Sequence, residues 1–146
     1  MQYRQDAVTP PALAFVLAHL WERGVEELRR IGLSRDEAFA RFMDYAQRGR
    51  SGVMYADDVP VLACGTCPEE GGRFTWFQAT DAFVDHAIQI TRWLRKELKR
   101  DEGPVYIYSV CVHPETERWF HALGCERDGW VGRTAAGFPL YRFARR

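Results

Sequence analysis

The stretch from Pro104 to Cys125 constrains the fold more than any other part of this chain. Residues 105–112 are a run of β-branched and aromatic residues of strand length, bounded by Gly103-Pro104 and His113-Pro114. Pro114 suits the first position of a helix, where its missing N–H costs nothing, and Glu115 and Glu117 fall in the positive first turn. Trp119, Phe120 and Leu123 then recur at helical spacing, and Gly124 supplies a left-handed stop. A buried strand therefore runs straight into a short amphipathic helix, which ends at a glycine and turns into another strand.

The segments around this unit read in order. Residues 2–8 suit a short strand, and Leu13, Val16, Leu17, Leu20, Trp21, Val25, Leu28 and Ile31 follow a helical period that Gly24 interrupts or bends. Ser34 and Glu37 form a capping box for a second helix, with Phe39, Phe42, Met43 and Ala46 as its apolar face. Residues 52–56 and 59–67 read as strands joined by Asp57-Asp58, a two-residue hairpin turn. A turn at residues 68–72 leads to a strand over 73–80. Thr80 or Asp81 then caps a long helix to about Lys99, with Val84, Ala87, Ile88, Thr91, Leu94 and Leu98 inward. Residues 125–131 and 138–143 read as the last two strands. This order predicts an α/β fold: a single domain over residues 1–146 with a mixed sheet of six to seven strands and about four helices.

Charge narrows the function. Twenty basic residues balance twenty acidic ones, whereas a general nucleic-acid binder carries a basic excess. No apolar run reaches membrane-spanning length and the N-terminus lacks a signal-peptide core, so a cytoplasmic location is expected. Four cysteines in 146 residues do not make a disulfide scaffold. Cys64 and Cys67 form a C-x-x-C that Cys111 and His113 could complete as a zinc site, but a second knuckle is lacking and Cys64 reads as sheet core, so no metal is expected. A strand, not a helix, follows the pair, which argues against a thioredoxin-like dithiol.

The element order, together with His113, Thr116, Trp119-Phe120 and Leu123-Gly124-Cys125 after the central strand, resembles the GNAT acyltransferases. A narrower resemblance is to GNAT-like proteins of tailed phages, some of them internal virion proteins. It is carried by Pro60 to Gly65, Trp76, Ala79-Thr80-Asp81, Trp119 to Cys125, and the ending Gly137-Phe138-Pro139-Leu140-Tyr141-Arg142-Phe143.

The resemblance implies an acyl-CoA site where the fourth and fifth strands part. Backbone groups of Phe77, Gln78, Ala79, Thr80 and Asp81 would then hold acetyl-CoA or another acyl-CoA. The loop that should cradle the diphosphate, residues 80–87, has no glycine, and no Lys or Arg occurs between Arg73 and Arg92. Asp81 and Asp85 place carboxylates there, and Asp81 reads as a cap. Where many relatives carry a tyrosine general acid the chain has Phe120, and where they carry a glutamate base it has Gln78. His113 and Tyr141 are the possible substitutes, with a helix cap and a half-buried strand residue as their structural readings. These departures favour a degenerate acyl-CoA site in a non-catalytic protein, virion-associated or bound to a host partner, over an acyl-CoA-dependent N-acetyltransferase acting on an unknown amine.

Overall fold

The computed structural model describes residues 1–111 and 113–146, so the expected strand end at Val112 lies outside the described residues. In chain order the elements are β1 (Tyr3–Asp6), α1 (Pro10–Ala18), α2 (Glu22–Ile31), α3 (Arg35–Arg48), β2 (Arg50–Ala56), β3 (Val59–Glu69), β4 (Gly72–Ala79), α4 (Phe83–Leu98), β5 (Val105–Ser109), α5 (Pro114–Ala122), β6 (Glu126–Arg133) and β7 (Pro139–Arg145). The strands make one sheet in the order β1-β2-β3-β4-β5-β7-β6. Only β4 and β5 run parallel; the other neighbours are antiparallel. The mixed α/β sheet read from the sequence is therefore present, with one more helix among the described residues than expected.

Two apolar layers hold it. Leu13, Val16, Leu28 and Phe42 from the first three helices pack on Val53, Ala63 and Trp76 of one sheet face. On the other face Ile90 and Leu94 of α4 and Phe120 of α5 pack on Leu62, Val105, Ile107 and Phe143. Phe143 is fully buried, which contributes on the order of 1.5–3 kcal/mol relative to an exposed phenyl ring.

The parallel pair positions the site. It begins tightly: a Cβ on Gly72 would stand 2.3 Å from the Pro104 carbonyl oxygen, so only glycine lets the strands approach there. Registered pairing then covers Arg73–Val105, Phe74–Tyr106 and Thr75–Ile107 and stops. Beyond it β4 stays with β3 as far as Ala79, while β5 stays with β7 as far as Ser109. A gap opens between them.

The central unit forms as its residues require. Pro114 opens α5, and Gly124 follows it with φ +88°. Cys125 N–H donates to Phe120 O at 3.0 Å and Gly124 N–H to His121 O at 2.9 Å, the paired bonds of a Schellman stop. Asp57 and Asp58 both have positive φ, +47° and +65°, giving the primed turn that matches strand twist.

Two expectations need correction. The first long helix breaks at residues 19–21, not at Gly24, which lies inside α2. There the chain is drawn to the sheet end: Leu20 bridges Thr80, Trp21 N–H donates to Ala79 O, and Asp81 N–H donates to His19 O, both at 3.0 Å. Val25 consequently stays 40% exposed instead of facing inward. In α4 the inward stripe is Phe83, His86, Ile90, Leu94 and Leu98, while Val84 and Ile88 are exposed. On that face His86 is buried with its Nδ1 2.8 Å from the Tyr3 hydroxyl, which gives the ring a polar partner inside.

Candidate functional site

A cavity of about 910 Å³ occupies the gap and opens to both sheet faces. Leu62, Thr75 and Ile107 line its middle. Toward the first three helices its walls are Glu27, Arg41, Phe42, Tyr45, Trp76 and Tyr108; toward α4 and α5 they are Phe77, Ala79, Phe83, Val84, Trp119 and Phe120. The volume is in the range of small-molecule sites.

The second half is aromatic and rigid. Phe77 and Phe83 meet the Trp119 ring edge-on at 5.3 and 5.4 Å, and Trp21 stacks on Phe83 at 5.0 Å. Trp119 Nε1–H donates to Thr91 Oγ1 at 2.9 Å, and that hydroxyl donates to Ala87 O at 2.7 Å, which fixes the indole plane. Backbone groups alternate edges along a strand. Thr80 N–H turns to Val61 O on β3 and Ala79 O turns away to Trp21, so the N–H and C=O of Phe77 face the gap. An extended chain bearing amides could pair with them as an added strand does.

In the turn beyond β4 the N–H groups of residues 80–83 are already bonded within the protein, which leaves little of the turn's backbone to meet a diphosphate. Thr80 N–H is bonded to Val61 O, Asp81 N–H to His19 O and Phe83 N–H to Thr80 O, each at 3.0 Å. Ala82 N–H goes to Thr80 Oγ1 at 3.3 Å and Asp85 N–H to Ala82 O at 3.1 Å. Helix α4 starts at Phe83 with Ala82 as N-cap and no side-chain capping bond. Asp81 is therefore not the expected cap; the Thr80 hydroxyl meets the first donor, while Asp81 and Asp85 stand exposed beside the helix start. Of the five residues expected to hold the cofactor, Phe77, Gln78 and Ala79 line the cavity; Thr80 is buried, and neither it nor Asp81 reaches the wall.

The first half carries the chemistry that sequence reasoning missed. Gly24, Glu27 and Ile31 form one stripe of α2 facing the cavity. Burial pushes the Glu27 carboxyl up to about 7. The side chain is half-buried, and its carboxyl keeps contact with the solvent that the cavity admits. Glu26, one residue earlier, faces outward between Arg29 and Arg30, whose hydrogen bonds hold it down at about 2. Nothing in two adjacent glutamates separates these fates; only the phase of α2 does. Across the cavity the Tyr108 hydroxyl donates to Glu69 at 2.8 Å, and burial with that carboxylate pushes it up to about 12. Arg23 bonds Glu115 at 2.7 Å and lies over the Trp21 ring at 4.6 Å.

The two expected proton-transfer residues are elsewhere. His113 is the N-cap of α5, its Nδ1 accepting from Glu115 N–H at 3.2 Å. Tyr141 lies on β7 under the Arg127 guanidinium at 4.1 Å. Neither lines the cavity. Phe120 does, packed on Phe143 at 4.9 Å. Cys64 and Cys67, three apart in a strand, belong to opposite faces of β3 and cannot grip one ion. Among the described residues no group of three His, Cys, Asp or Glu is placed to hold a metal.

This architecture, a sheet parted between a parallel β4 and β5 with helices on both faces, is that of the GNAT acetyltransferases. No protein-family profile matches the chain, and no curated protein matches it in sequence. Solved structures do match in fold. An aminoglycoside N(6′)-acetyltransferase from Legionella pneumophila superposes with TM-score 0.72 at 13% identity, over 99% of this chain and 93% of that one. A GNAT-family acetyltransferase from Streptococcus agalactiae gives 0.70 at 11%, over 98% and 94%. An aminoglycoside acetyltransferase in complex with coenzyme A gives 0.67 at 14%, over 99% and 94%. At such identities the likeness establishes the fold. No helix among the described residues is long and apolar enough to cross a membrane.

Proposed function

We propose that this chain is an N-acyltransferase whose acyl-thioester donor is held by its pantetheine arm and not by its diphosphate. The observation that carries the reading is the continuous cavity, with the gap-facing backbone of Phe77 on one side and the Glu27 carboxyl on the other. The Phe77 N–H and C=O would pair with the amides of the arm, and the Phe83–Trp119 wall would exclude water from the thioester. A carboxyl near 7 is suited to take a proton from an amine at neutral pH, directly or through a water, as the nitrogen attacks the thioester carbonyl. Ser109, whose Oγ accepts from Cys111 N–H at 3.0 Å and lines the cavity, would hydrogen-bond the departing thiolate, which then takes its proton from solvent; Phe120 has no hydrogen to offer.

The spent donors of residues 80–83 favour a second reading, a degenerate site in a protein that acts by binding a partner, whether in a virion or in host cytoplasm. Thiol release from acetyl-CoA across a panel of primary amines separates the two. Turnover that falls by roughly 10²-fold in Glu27→Gln supports transfer, in line with the usual contribution of a positioned base. Absence of turnover with every amine, in a protein that still binds S-acetylpantetheine, supports the second.

A further inference from the structure

We infer that the Glu27 half of the cavity accepts a singly charged primary amine with a flat apolar body, of the arylalkylamine class, in preference to a polyamine or a polyamino sugar. This deepens the transfer reading and rests on it for the chemical step, but the binding itself needs no donor molecule.

The charge inventory of the walls is the first ground. Three carboxylates line the cavity: Glu27, Glu69 and Glu115. Glu115 is engaged by Arg23 at 2.7 Å and Arg118 at 3.6 Å, and Glu69 accepts from Tyr108 at 2.8 Å. Among the described residues Glu27 has neither an ion-pair nor a hydrogen-bond partner, so of the three it is the carboxyl with its whole capacity left for an incoming ammonium. Arg41 on the same wall adds positive charge, which opposes a second or third ammonium on one ligand. A buried ammonium without a counter-ion is strongly disfavoured, so the walls match one cation and penalise several.

Shape is the second ground. Phe42 stacks on Trp76 at 5.3 Å, and Tyr45 meets Phe74 edge-on at 5.0 Å, with all four lining the cavity. Such walls offer flat contact to an aromatic or extended apolar body and few partners for the hydroxyls of a sugar. A ligand with an ammonium at Glu27 and a ring against these faces satisfies both grounds together.

Calorimetric titration without donor tests the inference, using 2-phenylethylamine, its neutral counterpart 2-phenylethanol, spermidine, and an unblocked alanyl peptide. The expected order places 2-phenylethylamine first, by roughly tenfold over each of the others, the difference a partly buried ion pair supports. Glu27→Gln should erase the preference of amine over alcohol while leaving the alcohol's binding unchanged. Equal or tighter binding of spermidine or the peptide would overturn the inference, as would an unchanged amine preference in Glu27→Gln. The amine–alcohol comparison on the wild type stands independently of whether the variant folds. Binding in the expected order without thiol release on adding acetyl-CoA would count against transfer and leave the inference standing; release with an amine that outcompetes 2-phenylethylamine would do the reverse.

Discussion

Replacing Glu27 with Gln should stabilise this protein, and the gain should grow with pH. In the unfolded chain the carboxyl loses its proton near 4.5, whereas in the folded protein burial holds the proton until about 7. Between those values folding must retain a proton that the unfolded chain releases, so stability falls as pH rises through this window and the full cost is present above about 7. At 1.36 kcal/mol per pKa unit the interval corresponds to at most about 3 kcal/mol, and the solvent reaching Glu27 through the cavity lowers the figure to about 2 kcal/mol. Gln is close in size and carries no charge to desolvate. At pH 5 the unfolded carboxyl is already largely ionised, so part of that cost is present there, and the stabilisation Gln confers should be about 1.2 kcal/mol larger at pH 8 than at pH 5. For a chain of this length a urea slope of ~2 kcal/mol/M turns that into a midpoint difference of roughly 0.6 M. Urea titrations of both proteins at the two pH values provide the test. A variant whose advantage is the same at pH 5 and pH 8, or which is less stable at pH 8, would show that the carboxyl is not desolvated and would remove the argument for a base near neutrality.

Gly124→Val should cost more than about 1 kcal/mol, because φ of +88° is strained for a β-branched residue even though a Cβ would meet only the flexible Arg145 side chain, at 3.8 Å. An unchanged denaturation midpoint would contradict it. Gly72→Ala should cost about 2 kcal/mol or more, since the new Cβ would press the Pro104 carbonyl oxygen and force the β4–β5 start apart; a midpoint shift below a few tenths of that would refute the tight approach.

What the sequence made legible was whatever local chemistry decides. Pro114 and Gly124 delimit α5 through the proline ring and the left-handed stop, and the Ser34–Glu37 capping box opens α3 as read, with both reciprocal bonds present. That Phe77, Gln78 and Ala79 stand at the gap was implied by the resemblance to the GNAT acyltransferases, which supplied the place where the strands part. Features set by distant partners were not legible. The helix break at residues 19–21 exists because Leu20 and Trp21 bond the end of β4, and Gly24, the local candidate, sits undisturbed in α2. The inward face of α4 includes His86, whose polar partner, the Tyr3 hydroxyl, lies 83 positions away. Glu27 was hidden for the same reason: its role depends on the wall it faces, and its neighbour Glu26 presents the same letter to a reader of the sequence.

The central claim is that the gap between β4 and β5 holds the pantetheine arm while the turn at residues 80–83 contributes nothing to the diphosphate. Calorimetric titration of acetyl-CoA against S-acetylpantetheine, at low and at physiological ionic strength, tests it most directly. With the N–H groups of residues 80–83 already bonded and Asp81 and Asp85 adding repulsion that low salt enhances, acetyl-CoA should bind with Kd above roughly 100 μM, less than about 5.5 kcal/mol. Its affinity should lie within about threefold of S-acetylpantetheine, a difference under about 1 kcal/mol, and should fall as salt is lowered. Low-micromolar binding of acetyl-CoA, with an advantage of 100-fold or more (about 3 kcal/mol) over S-acetylpantetheine, would mean that the diphosphate is gripped after all and would contradict the account.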